Sequence, residues 1–181
     1  MEVTDVDLDG LKLVQPRVFP DDRGFFLESY NAVRYAAAGI AVLFVQDNHS
    51  RSVRGTLRGL HYQSTPGQAK LVRVTRGRIF DVAVDIRPES PTFGQWKGVE
   101  LDAEEHLQLF LPVGFAHGFC VLSDRAEVQY KVSSVYDPST ERAIRHDDPE
   151  IGVVWPVKDP ILSERDRKAE SFADFRRRAA R

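Results

Sequence analysis

Apolar and polar side chains alternate with a period of two over much of the chain. Residues 79–86 place aromatic and branched apolar side chains on one face and Asp81 and Asp85 on the other. Residues 108–111 and 126–132 alternate in a similar way and are also rich in aromatic and β-branched residues. Because successive side chains of a strand point to opposite faces, this pattern predicts β-strands.

Short turns rich in Gly, Pro and Asp separate these segments, which favours a sandwich or a barrel. We therefore predict an all-β protein with an antiparallel β-barrel or jelly roll, forming one domain over residues 1–181. Helices should be few, short and peripheral. We expect one at residues 31–38, one beginning after Ser163, and a helical or frayed tail within residues 167–181.

Charge and composition exclude several classes of protein. The 25 Lys and Arg residues nearly balance the 27 Asp and Glu residues, so the net charge is −2 and no basic surface for nucleic acid is indicated. The single cysteine, Cys120, excludes an internal disulfide framework. No apolar run is long enough to span a membrane, and the acidic N-terminus does not resemble a signal peptide. We expect a cytoplasmic protein.

Polar side chains are densest in residues 46–77, next to segments that read as strands. Buried polar groups are costly unless they are satisfied, so this concentration indicates a pocket inside the barrel, although an ordinary polar edge strand would also explain it. His61 is the candidate base, with a structural histidine as the alternative. Lys70 shares a face with Val72 and could stabilise a negative oxygen or extend to solvent. Tyr130 should point inward, as core filler or as a proton donor.

One segment resembles a metal-site signature, but the ligand set is incomplete. Residues 112–117 are similar to the second signature of the cupin superfamily, and the spacing from Gly55 to His61 fits the first. However, Gln63 occupies the second histidine position and Lys70 the glutamate position. A lysine ammonium would repel a divalent ion, so we predict a cupin-like scaffold without a metal site.

The sequence as a whole resembles the dTDP-4-dehydrorhamnose 3,5-epimerase family from about Gly10 to Asp166. The resemblance is carried by ordered motifs at residues 19–28, 46–48, 55–63, 81–87, 90–94, 112–119 and 130–131. It implies a cupin-type homodimer that uses no metal or organic cofactor. The implied substrate is a dTDP-4-keto-6-deoxyhexose, whose C3 and C5 protons are acidified by the C4 ketone.

The resemblance also assigns roles to residues. It implies that His61 is the base, that Asp166 orients it, that Lys70 stabilises the enolate oxygen and that Tyr130 returns a proton on the opposite face. The alternation pattern alone gives no reason to bring Asp166 near His61. The implied substrate contacts are Arg23 and Arg58 at the diphosphate, Tyr136 stacked on thymine, and Glu28, Gln46, Asn48, His117, Glu141 and Arg165 as further contacts. Arg165 stands where the family often has lysine, which keeps the charge and changes its reach.

One feature of the proposed pocket conflicts with a regular strand. Arg58 and His61 are three residues apart, so a straight strand would point them to opposite faces. We therefore predict an irregularity at Gly59, such as a bulge. Three alternatives remain open at this point: an epimerase acting at one carbon only, a metal-dependent cupin enzyme, and a nucleotide-sugar-binding cupin without activity.

Overall fold

Residues 1–179, the part of the chain that the computed structural model describes, form thirteen strands and three short helices. The strands are β1 (Glu2–Asp5), β2 (Lys12–Gln15), β3 (Val18–Asp21), β4 (Gly24–Leu27), β5 (Gln46–Val53), β6 (Leu57–Gln63), β7 (Lys70–Arg76), β8 (Arg78–Asp85), β9 (Trp96–Asp102), β10 (Gln108–Leu111), β11 (Phe115–Val121), β12 (Arg125–Val132) and β13 (Glu141–Ala143). The helices are α1 (Ala32–Ala37), α2 (Glu164–Arg167) and α3 (Phe172–Ala179).

Two antiparallel sheets make up the barrel. The larger has six strands in the order β1-β2-β10-β7-β12-β5, and the smaller has five in the order β13-β6-β11-β8-β9. Strands β3 and β4 form a separate hairpin. The predicted all-β jelly roll with short peripheral helices is therefore confirmed.

Apolar side chains fill three layers. Between the sheets, Val72 and Val128 of the larger sheet belong to the same buried cluster as Ala83 and Phe119 of the smaller one. Outside the larger sheet, Tyr35 of α1 belongs to a second buried cluster. Outside the smaller sheet, a third cluster is formed by the residues Val82, Val84, Phe172 and Phe175. Both faces of the smaller sheet are therefore buried, and the C-terminal segment covers its outer face.

The predicted cap and stop of α1 and the predicted cap of α2 are confirmed. The side chain of Asn31 accepts a hydrogen bond from the backbone N–H of Arg34 at 3.1 Å, and Gly39 follows α1 with a φ of +86°. Ser163 caps α2 in the same way. Helix α3 occupies most of the predicted tail, of which residues 180–181 lie outside the described part. None of the helices in residues 1–179 is both long and apolar enough to cross a membrane.

Strand β6 contains the predicted irregularity. His61 is paired with His117 of β11 and Arg58 with Phe119, so three steps along β6 correspond to two along β11. Gly59 has a φ of +128°, and a Cβ atom there would lie 2.4 Å from the Cα of Gly118. Only glycine fits this close approach, which brings Arg58 and His61 to the same side of the sheet.

Candidate active site

A cavity of about 260 Å³ lies between the two sheets and contains most of the predicted site residues. Its lining residues are Gln46, Asn48, Ser50, Arg58, His61, Gln68, Lys70, His117, Phe119, Tyr130, Tyr136, Glu141 and Arg165. Of these, Ser50, Gln68 and Phe119 were not predicted as site residues from the sequence. The period of two could have found Ser50, because it lies two residues beyond Asn48 on the same face of β5.

A histidine–aspartate pair stands at the wall of the cavity. The Nε2 atom of His61 lies 2.5 Å from Oδ1 of Asp166, which is buried in α2. Ser163 donates a hydrogen bond to the other oxygen of Asp166 at 2.8 Å and also caps the helix. Because Asp166 occupies Nε2, the ring nitrogen Nδ1 of His61 is left as the proton acceptor.

Electrostatics keep the His61 imidazole neutral at pH 7. Burial lowers the pKa of His61 below 6.5, and the hydrogen bond and negative charge of Asp166 oppose this effect. Burial tends to raise the pKa of Asp166, but the hydrogen bonds from His61 and Ser163, together with nearby positive charge, outweigh it and hold that pKa below 3.8. The pair is therefore a neutral base beside a carboxylate, which would stabilise the imidazolium formed when His61 takes a proton.

Lys70 places a positive charge beside this base. Its side chain, on the inner face of β7, is buried, and Nζ donates a hydrogen bond to the carbonyl oxygen of His61 at 3.2 Å. Burial lowers the pKa of Lys70 to about 8. The ammonium form therefore still predominates at pH 7, where it can stabilise a developing oxyanion.

Tyr130 reaches the cavity from the opposite wall. It lies on the inner face of β12 in the larger sheet, whereas His61 belongs to the smaller sheet. Burial is the main cause of a raised pKa at Tyr130, so the phenol stays protonated at neutral pH. A base and a proton donor thus face each other across the cavity.

Several lining residues build a polar rim. Gln46 donates a hydrogen bond to Asn48 at 2.8 Å and accepts one from the backbone N–H of Tyr136 at 2.9 Å. Tyr136 itself is 54% exposed, so one face of its ring is available to a planar ligand. Arg165 forms an ion pair with Glu141 at 2.6 Å.

Two further predicted residues also line the cavity, Arg58 with an exposed side chain and His117 with a buried one. Arg58 donates a hydrogen bond from Nε to Oγ of Ser52 at 3.0 Å, and within residues 1–179 no carboxylate is close enough to pair with it. His117 is buried and bonds through Nε2 to Oδ1 of Asp81 at 2.7 Å. Arg58 therefore offers a guanidinium that is available to an anion, as phosphate recognition requires.

Three predicted residues do not line this cavity: Asp166, which contacts His61 from behind, and Arg23 and Glu28, which lie elsewhere. Arg23 lies at the turn of the β3–β4 hairpin, with its side chain 90% exposed and paired with Asp21 at 2.6 Å. Glu28 pairs with Arg34 at 3.0 Å. The neighbouring residues Phe25 and Phe26 line a groove with Arg73 and Thr75, whose side chains alternate with the inward-facing Lys70 and Val72. The hairpin therefore lies on the outer side of the larger sheet, whereas the cavity lies on its inner side.

The cavity does not offer the ligands of a metal centre. Lys70 and Gln63 occupy the positions that a cupin metal site would give to glutamate and histidine. Among the described residues, no group of three or more His, Cys, Asp and Glu side chains is arranged to hold a metal ion. The arrangement instead supports proton abstraction next to a carbonyl, with a base, a cation and a proton donor in place.

Comparison with known proteins agrees with this chemistry. A family model described as dTDP-4-dehydrorhamnose 3,5-epimerase matches residues 5–174. A dTDP-4-dehydrorhamnose 3,5-epimerase of Pseudomonas aeruginosa is 55% identical over 176 residues, covering 96% of this chain and 97% of the relative. A dTDP-4-dehydrorhamnose 3-epimerase of Streptomyces niveus is 42% identical, covering 97% of this chain and 86% of the relative.

A solved structure gives the same result for the fold. The 3,5-epimerase of Legionella pneumophila, crystallised in complex with dTDP-4-keto-L-rhamnose, superposes with a TM-score of 0.91 at 49% identity. The match covers 94% of this chain and 92% of that one. Similarity of sequence and of fold therefore extends over nearly the full length of both chains.

Proposed function

Because this chain belongs to the dTDP-4-dehydrorhamnose 3,5-epimerase family, we propose that it converts dTDP-4-dehydro-6-deoxy-D-glucose to dTDP-4-dehydro-L-rhamnose. The enzyme is an isomerase that inverts C3 and C5 of the keto sugar. The observation that carries this proposal is the arrangement of His61, Lys70 and Tyr130 around one cavity, with Asp166 behind the base.

Each inversion consists of one proton removal and one proton return. Nδ1 of His61 takes the proton from the carbon next to the C4 ketone, and the electron pair of the C–H bond moves to the carbonyl oxygen. The resulting enolate oxygen is stabilised by the ammonium of Lys70, and the imidazolium by Asp166. The electron pair then returns to form a new C–H bond with the proton of Tyr130 on the opposite face. Solvent exchange restores both groups before the second carbon reacts.

The rim of the cavity accounts for recognition of the nucleotide. The unpaired guanidinium of Arg58 suits the diphosphate, and the exposed ring of Tyr136 suits stacking on thymine. Gln46 and Asn48 supply polar contacts to the nucleotide, and His117 and Glu141 supply further contacts to the ligand. Arg165, held by Glu141, keeps a positive charge at the rim.

The enzyme acts as a homodimer in this proposal. On the β3–β4 hairpin, the residues Phe19, Phe25 and Phe26 are 45%, 59% and 69% exposed. Such a cluster of exposed aromatic rings is unusual on the surface of a monomer. Arg23 and Glu28 lie on or beside this hairpin, away from the cavity of their own chain. A dimer that buries the hairpin would cover these rings and bring both residues to the partner's diphosphate site.

An isotope experiment tests the reaction. The purified protein is incubated with dTDP-4-keto-6-deoxyglucose in heavy water, and deuterium at C3 and C5 is followed by NMR. Exchange at both carbons together with formation of the L-rhamno product is expected. If product accumulates while the ring stays unlabelled, proton abstraction by His61 is refuted. The His61→Asn variant, which retains a polar side chain, is the matched control and should exchange neither position.

A second candidate is an epimerase acting at one carbon. The similarity to a relative named as a C3 epimerase supports it. The same base and acid would serve inversion at one carbon or at two. The same spectra distinguish the two. Deuterium and inversion at C3 alone would assign the chain to the single-centre reaction.

A further inference from the structure

A second pocket, with a volume of about 430 Å³, lies where β5 ends and β6 begins. Its lining residues, which define the arginine pocket, are Arg51, Ser52, Val53, Thr56, Arg58 and Arg125. In a chain whose net charge is −2, this lining brings three guanidinium groups and two hydroxyl groups together, and no carboxylate is among the described residues that form it. Guanidinium groups bind anions with planar or tetrahedral oxygens through paired N–H donors.

Strand pairing and one hydrogen bond bring the three arginines together. Arg125 of β12 is directly opposite Val53 of β5, and it is therefore a diagonal neighbour of Arg51 on the same face of the sheet. Arg58 reaches this point from the smaller sheet, and its Nε atom donates a hydrogen bond to Oγ of Ser52 at 3.0 Å. Because Ser52 is buried between Arg51 and Val53 in the strand, it fixes the third guanidinium beside the other two.

The positive charges of the arginine pocket are not balanced by neighbouring acids. Within the described part of the chain, no carboxylate lies within ion-pair distance of any of the three guanidinium groups. Glu127 stands directly opposite Arg51, but it bonds to His49 at 3.1 Å. Asp124, in the turn before β12, pairs with Arg54 at 2.8 Å. Three like charges at one place repel one another, and a bound anion would relieve that repulsion.

The composition of the arginine pocket suits a small inorganic anion better than a nucleotide. Its apolar lining residue is Val53, and its described lining includes no aromatic ring on which a base could stack. Tyr136, the ring that suits thymine, bonds to Gln46 at the opposite end of β5. Six residues of extended strand, about 20 Å, separate Gln46 from Ser52. Three guanidinium groups can engage two adjoining phosphoryl groups, as in pyrophosphate.

We propose that the arginine pocket binds a small phosphate anion of the pyrophosphate type, and that this anion competes with the substrate for Arg58. Arg58 is shared, because it lines both the arginine pocket and the catalytic cavity. Arg51 and Arg125 do not line the catalytic cavity. The competition rests on the proposed function, in which Arg58 binds the diphosphate of the substrate, whereas binding of the anion does not rest on it.

Calorimetry with inorganic pyrophosphate tests the site, at an ionic strength held constant with sodium chloride because exposed charges are screened by salt. The wild-type protein should bind one pyrophosphate. The double variant Arg51→Gln, Arg125→Gln keeps polar side chains and removes two charges, so its Kd should rise about tenfold. The matched control is Arg145→Gln, Arg177→Gln, which changes the net charge equally at exposed arginines that pair with Asp147 and Asp174 elsewhere. It should bind as the wild type does.

Steady-state kinetics with the keto sugar tests the competition. Pyrophosphate should raise KM without lowering kcat, and its inhibition constant should rise about tenfold in the Arg51→Gln, Arg125→Gln variant. Without pyrophosphate, kcat and KM of this variant should equal those of the wild type, because neither arginine lines the catalytic cavity. A wild-type protein that does not bind pyrophosphate, or a variant that binds it equally tightly, overturns the proposed site.

The two readouts separate this proposal from the proposed function. Calorimetry needs no substrate, so binding that depends on Arg51 and Arg125 would support the arginine pocket even if the protein failed to turn over the keto sugar. Conversely, normal turnover together with pyrophosphate binding that ignores both arginines would leave the epimerase function standing and remove the arginine pocket.

Discussion

Replacing Asp166 by asparagine tests the central pair of the site. The amide keeps the shape of the carboxylate but cannot stabilise an imidazolium. If its NH₂ group faces Nε2 of His61, the ring proton is forced onto Nδ1, which is the atom that must accept a proton. Loss of a hydrogen bond to a charged group costs about 1.5–3 kcal/mol, which corresponds to about 10- to 100-fold in rate. With the tautomer change added, we expect kcat to fall by about 10²–10³-fold.

The assay follows deuterium exchange at C3 and C5 together with product formation, at saturating and at low substrate. KM should change little, because the nucleotide rim does not contain Asp166. Ser163→Ala is the control, since it removes a hydrogen bond to Asp166 and the helix cap but leaves the carboxylate. It should cost about 1 kcal/mol of stability and reduce exchange much less. An Asp166→Asn variant with wild-type exchange rates would refute the role of the pair.

Three further predictions follow from the same structure. Lys70→Met should lower kcat by about 10²–10³-fold, as steady-state kinetics would measure. Its thermal stability should stay equal or rise in a melting experiment, because the substitution removes from the interior an ammonium that has no carboxylate partner. The pH profile of kcat/KM should rise with the deprotonation of His61 below pH 6.5 and fall near pH 8 as Lys70 loses its proton; full activity at pH 10 would contradict it. Asp85→Asn should lose roughly 2 kcal/mol in urea unfolding at pH 7, because hydrogen bonds from Arg87 and its neighbours outweigh burial and lower the pKa of Asp85 from 3.8 to about 2. That stabilisation is present above pH 3.8 and is lost towards pH 2, so the difference between the proteins should vanish in acid.

The alternation of residues 79–86 predicted strand β8 correctly, but it could not show which face points to the interior. The apolar face, with Val82 and Val84, lies under α3, while Asp81 points between the sheets. The reason is that both faces of the smaller sheet are covered, so an apolar face does not identify the interior side. A polar side chain of a strand can point into the interior when another segment covers the apolar face of that strand, as α3 does here.

The pairing of His61 with Asp166 lies beyond what local patterns can predict. The two residues are 105 positions apart, and α2 is too short for its periodicity to indicate what it faces. The resemblance to a family suggested the pair, and the structure places the two side chains in contact. Conversely, the odd spacing of Arg58 and His61 did predict the bulge at Gly59, because strand geometry allows few other solutions. The catalytic and binding roles of these residues stay predictions until the variants are measured.

The position of the C-terminal segment on the outer face of the smaller sheet suggests a way to inhibit the enzyme. It carries Asp166 to the base and is held on the smaller sheet by bridges from Ile161 to Thr56 and from Glu170 to Ile144, and by the rings of α3. A compound that bound beneath Phe172 and displaced the C-terminal segment would separate Asp166 from His61. It would therefore inhibit the enzyme from a position outside the cavity. Such a compound would not compete with the sugar nucleotide, and raising the substrate concentration would not overcome it.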